Sequence, residues 1–349
     1  MKAAVFARYG GADVVSIAER PTPTPGPDQV LIEVVATTVN SADWRLRSLS
    51  VPAGFGLPVR LFMGLTRPRR QILGLELAGR IAAVGGRVRR FAVGDEVVAF
   101  PGSRLGAHAA FVALDAGAPI VPKPPALPWD EAAALCFGGT AALDFLVNRG
   151  KVQRGEKVLI NGASGTVGTM AVQLARHAGA EVTAVCSADA ADLVRTLGAT
   201  RVVDHRRERF HALGLQWDVI MDLVGNAGWS TIEHCLRPGG RLLMVVASMA
   251  ETLKALRASR SQGRRCIAGT AREHADDVAR LVALAAEGAI RPVIHARFAL
   301  DDIVEAHRLL DAGHKRGSLV VRVREEAFDA AHGLGPGPDG TLPHQSVGL

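Results

Sequence analysis

A glycine-rich turn in the middle of the chain carries the clearest sign of chemistry. The stretch "LINGASGTVGTMAVQLARHAGAEVTAVCS" (residues 159–187) reads as an apolar strand, a turn, a helix and a second strand. In its AxGxxG pattern, Ala163 would permit a tight turn, Gly165 would let the backbone approach a diphosphate, and Gly168 would let helix and strand pack closely. Free N–H groups at the helix start would bind that anion. The predicted phosphate contacts are Ala163, Ser164, Gly165, Thr166 and Val167.

The residues at the end of the second strand bear on which dinucleotide binds. An acidic residue there would hold both ribose hydroxyls and favour NAD. Cys186 and Ser187 stand at this place, and neither is acidic, which leaves room for a 2′-phosphate that Ser187, His205 and Arg206 could contact. Asp189 lies close by with the opposing charge. We therefore expect NADP(H), with NAD(H) as the alternative cofactor and a turn without any ligand as the alternative interpretation.

The composition limits the classes of partner. Hydrophobic residues make up 48% and charged residues 21% of the 349-residue chain, an ordinary balance for a globular protein of two domains. The net charge of +7 could indicate nucleic acid, but aromatic residues make up only 5% and no duplex-binding motif accompanies the arginines. We expect a small-molecule substrate, no nucleic-acid partner, and a monomer or homodimer.

The expected cellular compartment rests on two features that the sequence does not show, a membrane-spanning run and a secretory signal. No apolar run reaches the length of a membrane-spanning helix, and the first residues do not resemble a secretory signal. The four cysteines are scattered without a CxxC pair, which argues against a disulfide framework and against a closed zinc site. A cytoplasmic protein without a membrane partner is the expectation.

Proline clusters and a change of rhythm divide the chain. Short β-rich runs fill the first part up to the cluster "PKPPALP" (122–128), after which strands and helices alternate as in parallel α/β units. The first such helix places apolar residues on one face with the helical period: Val167, Met170, Ala171, Leu174, Ala175 and Ala178. The predicted domains are 1–122 with 289–325, then 123–288, followed by a flexible Gly/Pro-rich tail over 326–349.

Seven motifs along the chain resemble a known family. They are "VNSADW" (39–44), "LGLELAG" (73–79), "VGDEVVAF" (93–100), "GGTAA" (138–142), "NGASGTVGT" (161–169), "LGATRVVD" (197–204) and "DLVG" (222–225). Together they resemble the zinc-independent, quinone-oxidoreductase-like branch of the medium-chain dehydrogenase/reductases. The resemblance implies an α/β protein in which a GroES-like partial β-barrel joins a Rossmann domain with a doubly wound parallel sheet. It also implies an active cleft between the domains and hydride transfer from NADPH.

The zinc ligands of related alcohol dehydrogenases are replaced here. Where those enzymes use Cys, His or Glu, and Cys, this sequence has Asn40, Leu75 beside a retained Glu76, and Cys136. Asn40 and Leu75 cannot replace thiolate and imidazole ligands, so we expect no metal. Cys136 is then expected to be a small buried residue.

The resemblance also implies positions for the reacting groups. Asn40 would lie at the junction of nicotinamide and substrate, Thr140 would approach the nicotinamide or its phosphates, and Val224 and Val246 would complete the cofactor contacts. Asp43 would line the mouth of the cleft with Trp44. Asn40 as a turn amide at a strand end is the alternative interpretation.

The proton donor is open. His108 stands where the family usually has phenylalanine, and a titratable imidazole there could donate a proton at neutral pH. A structural histidine is the alternative, and Tyr9 or solvent could also supply the proton.

These observations favour one function class and leave another open. Without a Lewis acid, reduction of an enone, a quinone or an activated carbonyl by NADPH is easier than simple alcohol oxidation. The alternative is a non-catalytic NADP(H)-binding protein with a structural or sensory role.

Overall fold

The described residues form three β-sheets, a two-stranded one near the start of the chain and two larger ones, a first sheet of seven strands and a second sheet of six. The computed structural model describes residues 1–261, 263–313 and 315–324, so the predicted tail at 326–349 lies outside the described residues. The strands are β1 (Lys2–Phe6), β2 (Val15–Glu19), β3 (Gln29–Val39), β4 (Leu77–Val84), β5 (Glu96–Ala99), β6 (Phe111–Asp115), β7 (Ile120–Pro122), β8 (Lys157–Asn161), β9 (Glu181–Cys186), β10 (Arg201–Asp204), β11 (Trp217–Asp222), β12 (Leu236–Met244), β13 (Arg265–Ala268), β14 (Ile294–Ala299) and β15 (Ser318–Arg322).

Eight of the ten α-helices in the described residues follow residue 128. The ten helices are α1 (Ser41–Ser48), α2 (Gly56–Met63), α3 (Trp129–Ala133), α4 (Cys136–Ala142), α5 (Thr166–His177), α6 (Ala191–Thr196), α7 (Trp229–Ile232), α8 (Met249–Ser261), α9 (Ala275–Ala286) and α10 (Ile303–Ala312). A π-helical stretch, Leu143–Arg149, continues α4. The predicted amphipathic helix is α5, and it ends at His177, so Ala178 follows the helix rather than lying on its face.

The second sheet is parallel and six-stranded. Its strands lie in the order β10-β9-β8-β11-β12-β13, so the strand order reverses between β8 and β11. Both faces are covered: Val158 and Ile160 of β8 pack in the core that contains α5, whereas Leu159 packs on the other face with Trp229. The predicted Rossmann-type sheet is confirmed, and ligands of such sheets bind at the carboxyl ends of the strands where the order reverses.

The first sheet is built from both ends of the chain. Strands β14, β15, β3, β4, β5 and β7 follow one another in it, and β6 pairs with β3, giving a partial barrel. The predicted return of residues 291–300 to the first domain is seen in β14, which pairs with β15. β15 in turn pairs antiparallel with β3, with Leu319 opposite Val39. The domain boundaries near residues 122 and 289 stay a prediction.

Candidate active site

The glycine turn between β8 and α5 lies at the point where the strand order reverses. Gly162 has a φ of 88°, so the left-handed residue of the turn is Gly162 rather than Ala163, which is fully buried. A Cβ on Gly168 would lie 2.2 Å from the carbonyl oxygen of Gly162, which only glycine avoids. A Cβ on Gly165 would find nothing nearer than that same oxygen, at 3.7 Å. The fold therefore requires glycine at 162 and 168, but leaves open space at 165.

The start of α5 is open to an anion. Gly165 is the N-cap residue, and among the described residues no side chain caps this helix. Ser164, Gly165 and Val167 are partly exposed, whereas Thr166 is buried. Backbone N–H groups and a positive helix end thus face open space beside a bare Gly165, which fits the predicted diphosphate.

Neighbouring strand ends frame this turn. Val224, which follows β11, lies over it, because a Cβ on Gly162 would meet the Val224 Cγ2 at 2.9 Å. Val246, which follows β12, lies beside Gly225, whose added Cβ would be 2.8 Å from the Val246 carbonyl oxygen. The structure thus brings both predicted valines to the same edge of the sheet.

An amide–carboxylate pair joins the two strands at the reversal, and the sequence analysis did not single it out. The Asn161 side chain at the end of β8 donates to Asp222 Oδ1 over 2.9 Å. The same oxygen accepts from the backbone N–H groups of Val224 and Gly225, at 3.0 and 3.1 Å. Burial raises the pKa of Asp222. This pair fixes the loop that covers the glycine turn, and its two residues begin the motifs "NGASGTVGT" and "DLVG".

The end of β9 assembles the groups predicted to contact a 2′-phosphate. The backbone N–H of His205 donates to the Cys186 carbonyl over 3.1 Å, which places His205 and Arg206 beside Ser187. Arg206 forms a 3.4 Å ion pair with Asp189, and both side chains are more than half exposed. Exposed pairs of this kind contribute 0 to about 1 kcal/mol, so a ligand phosphate can replace Asp189 as the partner.

Asn40 ends β3 and begins α1. Its Oδ1 accepts from the N–H groups of Ala42 and Asp43, at 3.0 and 3.4 Å, which makes it the N-cap of α1. Its Nδ2 is buried and has no hydrogen-bond partner within the described part of the chain. A buried donor without an acceptor costs free energy unless a ligand supplies the acceptor. Asn40 therefore combines the structural role of a turn amide with a free donor group.

Asp43 and His108 do not occupy the positions predicted for them. Both carboxylate oxygens of Asp43 accept backbone bonds of 2.9 Å, from Asn40 and Gly74, and the side chain is fully buried. His108 is 1% exposed, and its Nε2 lies 2.8 Å from the Thr38 carbonyl oxygen. These contacts explain why neither side chain is free to meet a substrate: Asp43 closes the capping box of α1, and His108 supports β3 from inside the barrel. The catalytic role of Asp43 and His108 stays a prediction, and the contacts of His108 fit the structural histidine that was the alternative interpretation.

The remaining residues of the predicted mouth have packing roles. Trp44 is partly buried and packs against the main core. Tyr9 donates to the Gly64 carbonyl over 2.6 Å, which ties the turn after β1 to the end of α2. The Thr140 hydroxyl donates to the Cys136 carbonyl over 2.7 Å within α4 and is 1% exposed. Thr140 approaches the glycine turn through its helix, because α4 packs on α5 at Gly138 and Thr166.

Glu76 is the buried acid beside these groups. It accepts a short hydrogen bond from the Thr38 hydroxyl and a 2.7 Å bond from the backbone N–H of Phe137. Burial raises the pKa of Glu76 to about 7. Burial also raises the pKa of the Cys136 thiol well above its usual range, and the nearby Glu76 adds to that shift. All four cysteines are free thiols.

A segment near the end of the chain lies on the glycine turn, and the sequence analysis missed it. The Gly317 N–H donates to the Ser164 carbonyl over 2.9 Å, and the Thr166 hydroxyl donates to the Gly317 carbonyl over 2.8 Å. Burial raises the pKa of the Cys186 thiol, and Arg316 lies close enough to oppose that shift. The only sequence signal was the basic pair in "HKRGS", which periodicity cannot assign to a site.

Sheets with this strand order bind dinucleotides at such a turn. The class that this fold and site define is therefore that of the nicotinamide-dependent oxidoreductases. No helix within the described residues is long and apolar enough to span a bilayer.

Comparison with known proteins narrows the class. Residues 26–125 match the "Alcohol dehydrogenase GroES-like domain" family and residues 197–321 the "Zinc-binding dehydrogenase" family. The chain is 30% identical to the chloroplastic quinone-oxidoreductase QR1 of Triphysaria versicolor, over 92% of this chain and 98% of that protein. It is 32% identical to a quinone oxidoreductase of Pseudomonas aeruginosa, over 90% of this chain and 98% of that one.

A solved structure of a quinone oxidoreductase has the same fold as this chain. The quinone oxidoreductase from Coxiella burnetii superimposes with a TM-score of 0.83 at 29% identity, covering 93% of this chain and 99% of that chain. The protein belongs to the quinone-oxidoreductase-like branch of the medium-chain dehydrogenase/reductases and is an NAD(P)H-dependent reductase of that type. The predicted GroES-like and Rossmann architecture is confirmed, and the non-catalytic alternative is not supported.

Proposed function

We propose that this enzyme uses NADPH to reduce an activated C=C bond, a quinone or an activated carbonyl, and that it needs no metal. The observation that carries the proposal is the buried Asn40 Nδ2, a donor without an acceptor at the end of β3. When bound, the nicotinamide supplies the hydride. The acceptor oxygen of such a substrate gains negative charge, and a preorganised donor stabilises that charge without titrating.

The position of Asn40 relative to the glycine turn supports this role. Two residues before it, Thr38 binds Glu76, and Glu76 also accepts from Phe137 at the start of α4. α4 packs directly on α5, so Glu76 and α4 connect the end of β3 to the start of α5. In this proposal the acceptor would lie between the glycine turn and the Asn40 amide.

The metal-independent part of the proposal rests on chemistry of the side chains. Asn40 is committed to the α1 N-cap through its oxygen, and Leu75 has no ligand atom. Hydrogen-bond donors would then replace a Lewis acid.

The preference for NADPH rests on charge at the end of β9. Ser187, His205 and Arg206 gather there, and Arg316 adds a second guanidinium near Cys186. Asp189 opposes them only through an exposed ion pair. A doubly charged phosphate can compete with that carboxylate for Arg206.

The test is oxidation of NADPH and NADH by the purified enzyme with a panel of acceptors. Quinones, enones and activated carbonyls should be reduced, while saturated unactivated ketones serve as the matched negative controls. We expect NADPH to give the higher kcat/KM, with activity unchanged by a chelator. Activity that disappears with the chelator and returns with zinc would refute the metal-independent mechanism. Inactivity with the whole panel, despite bound NADPH, would refute the substrate class.

A further inference from the structure

The segment 315–317 places a lysine on the cofactor turn. The Lys315 ammonium lies 2.6 Å from the Thr166 hydroxyl oxygen and 2.7 Å from the Gly317 carbonyl oxygen. Thr166 is the first residue of α5, and Gly317 bridges to Gly165. The Lys315–Thr166 contact and the two hydrogen bonds of Gly317 with Ser164 and Thr166 therefore hold this segment against the same turn that is open to a diphosphate.

The charge of Lys315 has no direct counter-ion. Within residues 1–261, 263–313 and 315–324, no carboxylate lies within ion-pair distance of its Nζ, and Glu76 acts on it only through the field. The side chain is partly buried, and its two contacts are neutral oxygens. A buried cation without an anion is unfavourable, and the positive end of α5 increases that cost.

We infer that Lys315 supplies the positive charge that binds the cofactor diphosphate, an inference that rests on the proposed function. The diphosphate would take the place of the missing counter-ion, at the point where α5 and the bare Gly165 already favour an anion. Because Lys315 precedes β15 of the first sheet, the bound cofactor would be held by residues of both domains. Lys315 would be a cofactor-binding residue, and its contact would lie on a part of the cofactor remote from the hydride.

The groups around Lys315 make this contact sensitive to pH. Burial lowers the pKa of Lys315 to about 8, while Glu76 opposes that shift. His295 on β14 and Arg316 on the same segment face this region, and Lys315 and Arg316 help to lower the pKa of His295. Above pH 8 the free enzyme therefore loses the ammonium charge, and cofactor affinity should fall. Cofactor binding would itself raise the pKa of Lys315, because an anion favours the protonated form.

The experiment is titration of the full chain with NADPH between pH 7 and 9.5, using the Kd as the readout and inorganic diphosphate as a competing probe. The variants are Lys315→Met, Lys315→Arg, and Lys157→Met as a control at the opposite, amino-terminal edge of the parallel sheet. Loss of one charge-assisted hydrogen bond corresponds to a Kd increase of about 10-fold to 100-fold.

We expect that increase for Lys315→Met at pH 7, together with weaker competition by diphosphate, and no change for Lys157→Met. Wild-type affinity should fall as pH rises through about 8, whereas Lys315→Arg should bind equally well across the range, since guanidinium stays charged. Wild-type affinity for NADPH in Lys315→Met, or the wild-type pH profile in Lys315→Arg, would overturn the inference. If Lys315→Met fails to fold, as circular dichroism would show, the Lys315→Arg profile decides. A wild-type protein that binds neither NADPH nor NADH would instead refute the proposed function.

Discussion

Two glycines of the cofactor turn should respond in opposite ways to the same methyl group. At Gly165 an added Cβ lies 3.7 Å from its nearest neighbour, and the backbone is extended with a φ of −76°, so alanine or valine is sterically allowed. At Gly168 the Cβ would lie 2.2 Å from the Gly162 carbonyl oxygen and 2.6 Å from the Ala163 carbonyl carbon. These last contacts are with backbone, which cannot move aside without opening the turn.

The expected changes in folding free energy differ between the two positions. Gly165→Ala loses the modest advantage of glycine at an N-cap and gains from a less flexible unfolded chain, two effects each below about 1 kcal/mol and of opposite sign. Gly168→Ala must move the β8–α5 backbone, which costs about 3 kcal/mol or more. Cofactor binding should reverse the order, because a methyl group at 165 blocks backbone hydrogen bonds to the diphosphate. Loss of one or two such bonds raises the Kd about 10-fold to 1,000-fold.

The assay pairs chemical unfolding with NADPH titration. Gly165→Ala and Gly165→Val should unfold within about 1 kcal/mol of wild type and bind NADPH weakly or not at all. Gly168→Ala should unfold earlier. Wild-type cofactor affinity in Gly165→Val would show that the diphosphate does not lie at this turn, and wild-type stability in Gly168→Ala would refute the packing argument.

Three further predictions concern Asn40, the metal and a buried histidine. Asn40→Ala should lose about 1 kcal/mol of folding stability, because the α1 cap is removed, and its turnover should fall about 10²-fold to 10³-fold. Asn40→Ser should keep the cap and still lose the turnover. A full rate in Asn40→Ser would rule out the donor role. Chelator-free protein should contain far less than one zinc per chain by elemental analysis, and stoichiometric zinc would contradict the ligand argument. His307 is fully buried with both ring nitrogens unpartnered within the described residues, and burial with nearby His108 and Arg47 lowers its pKa well below the usual value. The unfolded chain therefore binds the extra proton below about pH 6.5, so stability should fall there by about 1.4 kcal/mol per pH unit, and His307→Leu should lessen that fall in unfolding curves at pH 5 and 8.

The sequence predicted those parts of the fold that have a local signal. β8, β9 and α5 lie where the apolar runs and the helical period place them, because both faces of the sheet are covered and the strands are continuously apolar. The chain's return to the first sheet through β14 could also be anticipated. The end of α5 could not be placed to the residue, since Ala178 continues the apolar period after the helix has ended.

The sequence was informative about residues that act through their backbone. It was not informative where distant parts of the chain determine the environment of a side chain. The open space at Gly165 follows from the fingerprint itself. The burial of Asp43 and His108 could not be predicted, because it depends on long-range contacts with Gly74 and with Thr38 of β3, which no local pattern encodes. Lys315 was missed for the same reason: about 150 residues separate it from Thr166, its partner.

The origin of the first sheet from both chain ends has a consequence for biosynthesis. β3 pairs with β4 along one edge and with β6 and then β15 along the other, and β15 consists of residues 318–322. During synthesis the second sheet, whose strands fall between residues 157 and 268, is complete on the ribosome before β15 has been made. Until then residues 36–39 of β3, which pair with β15 in the finished sheet, present an unpaired strand edge, the kind of surface that pairs with other chains. Nascent or truncated chains that stop short of residue 318 should therefore aggregate through β3 while their cofactor domain is already folded.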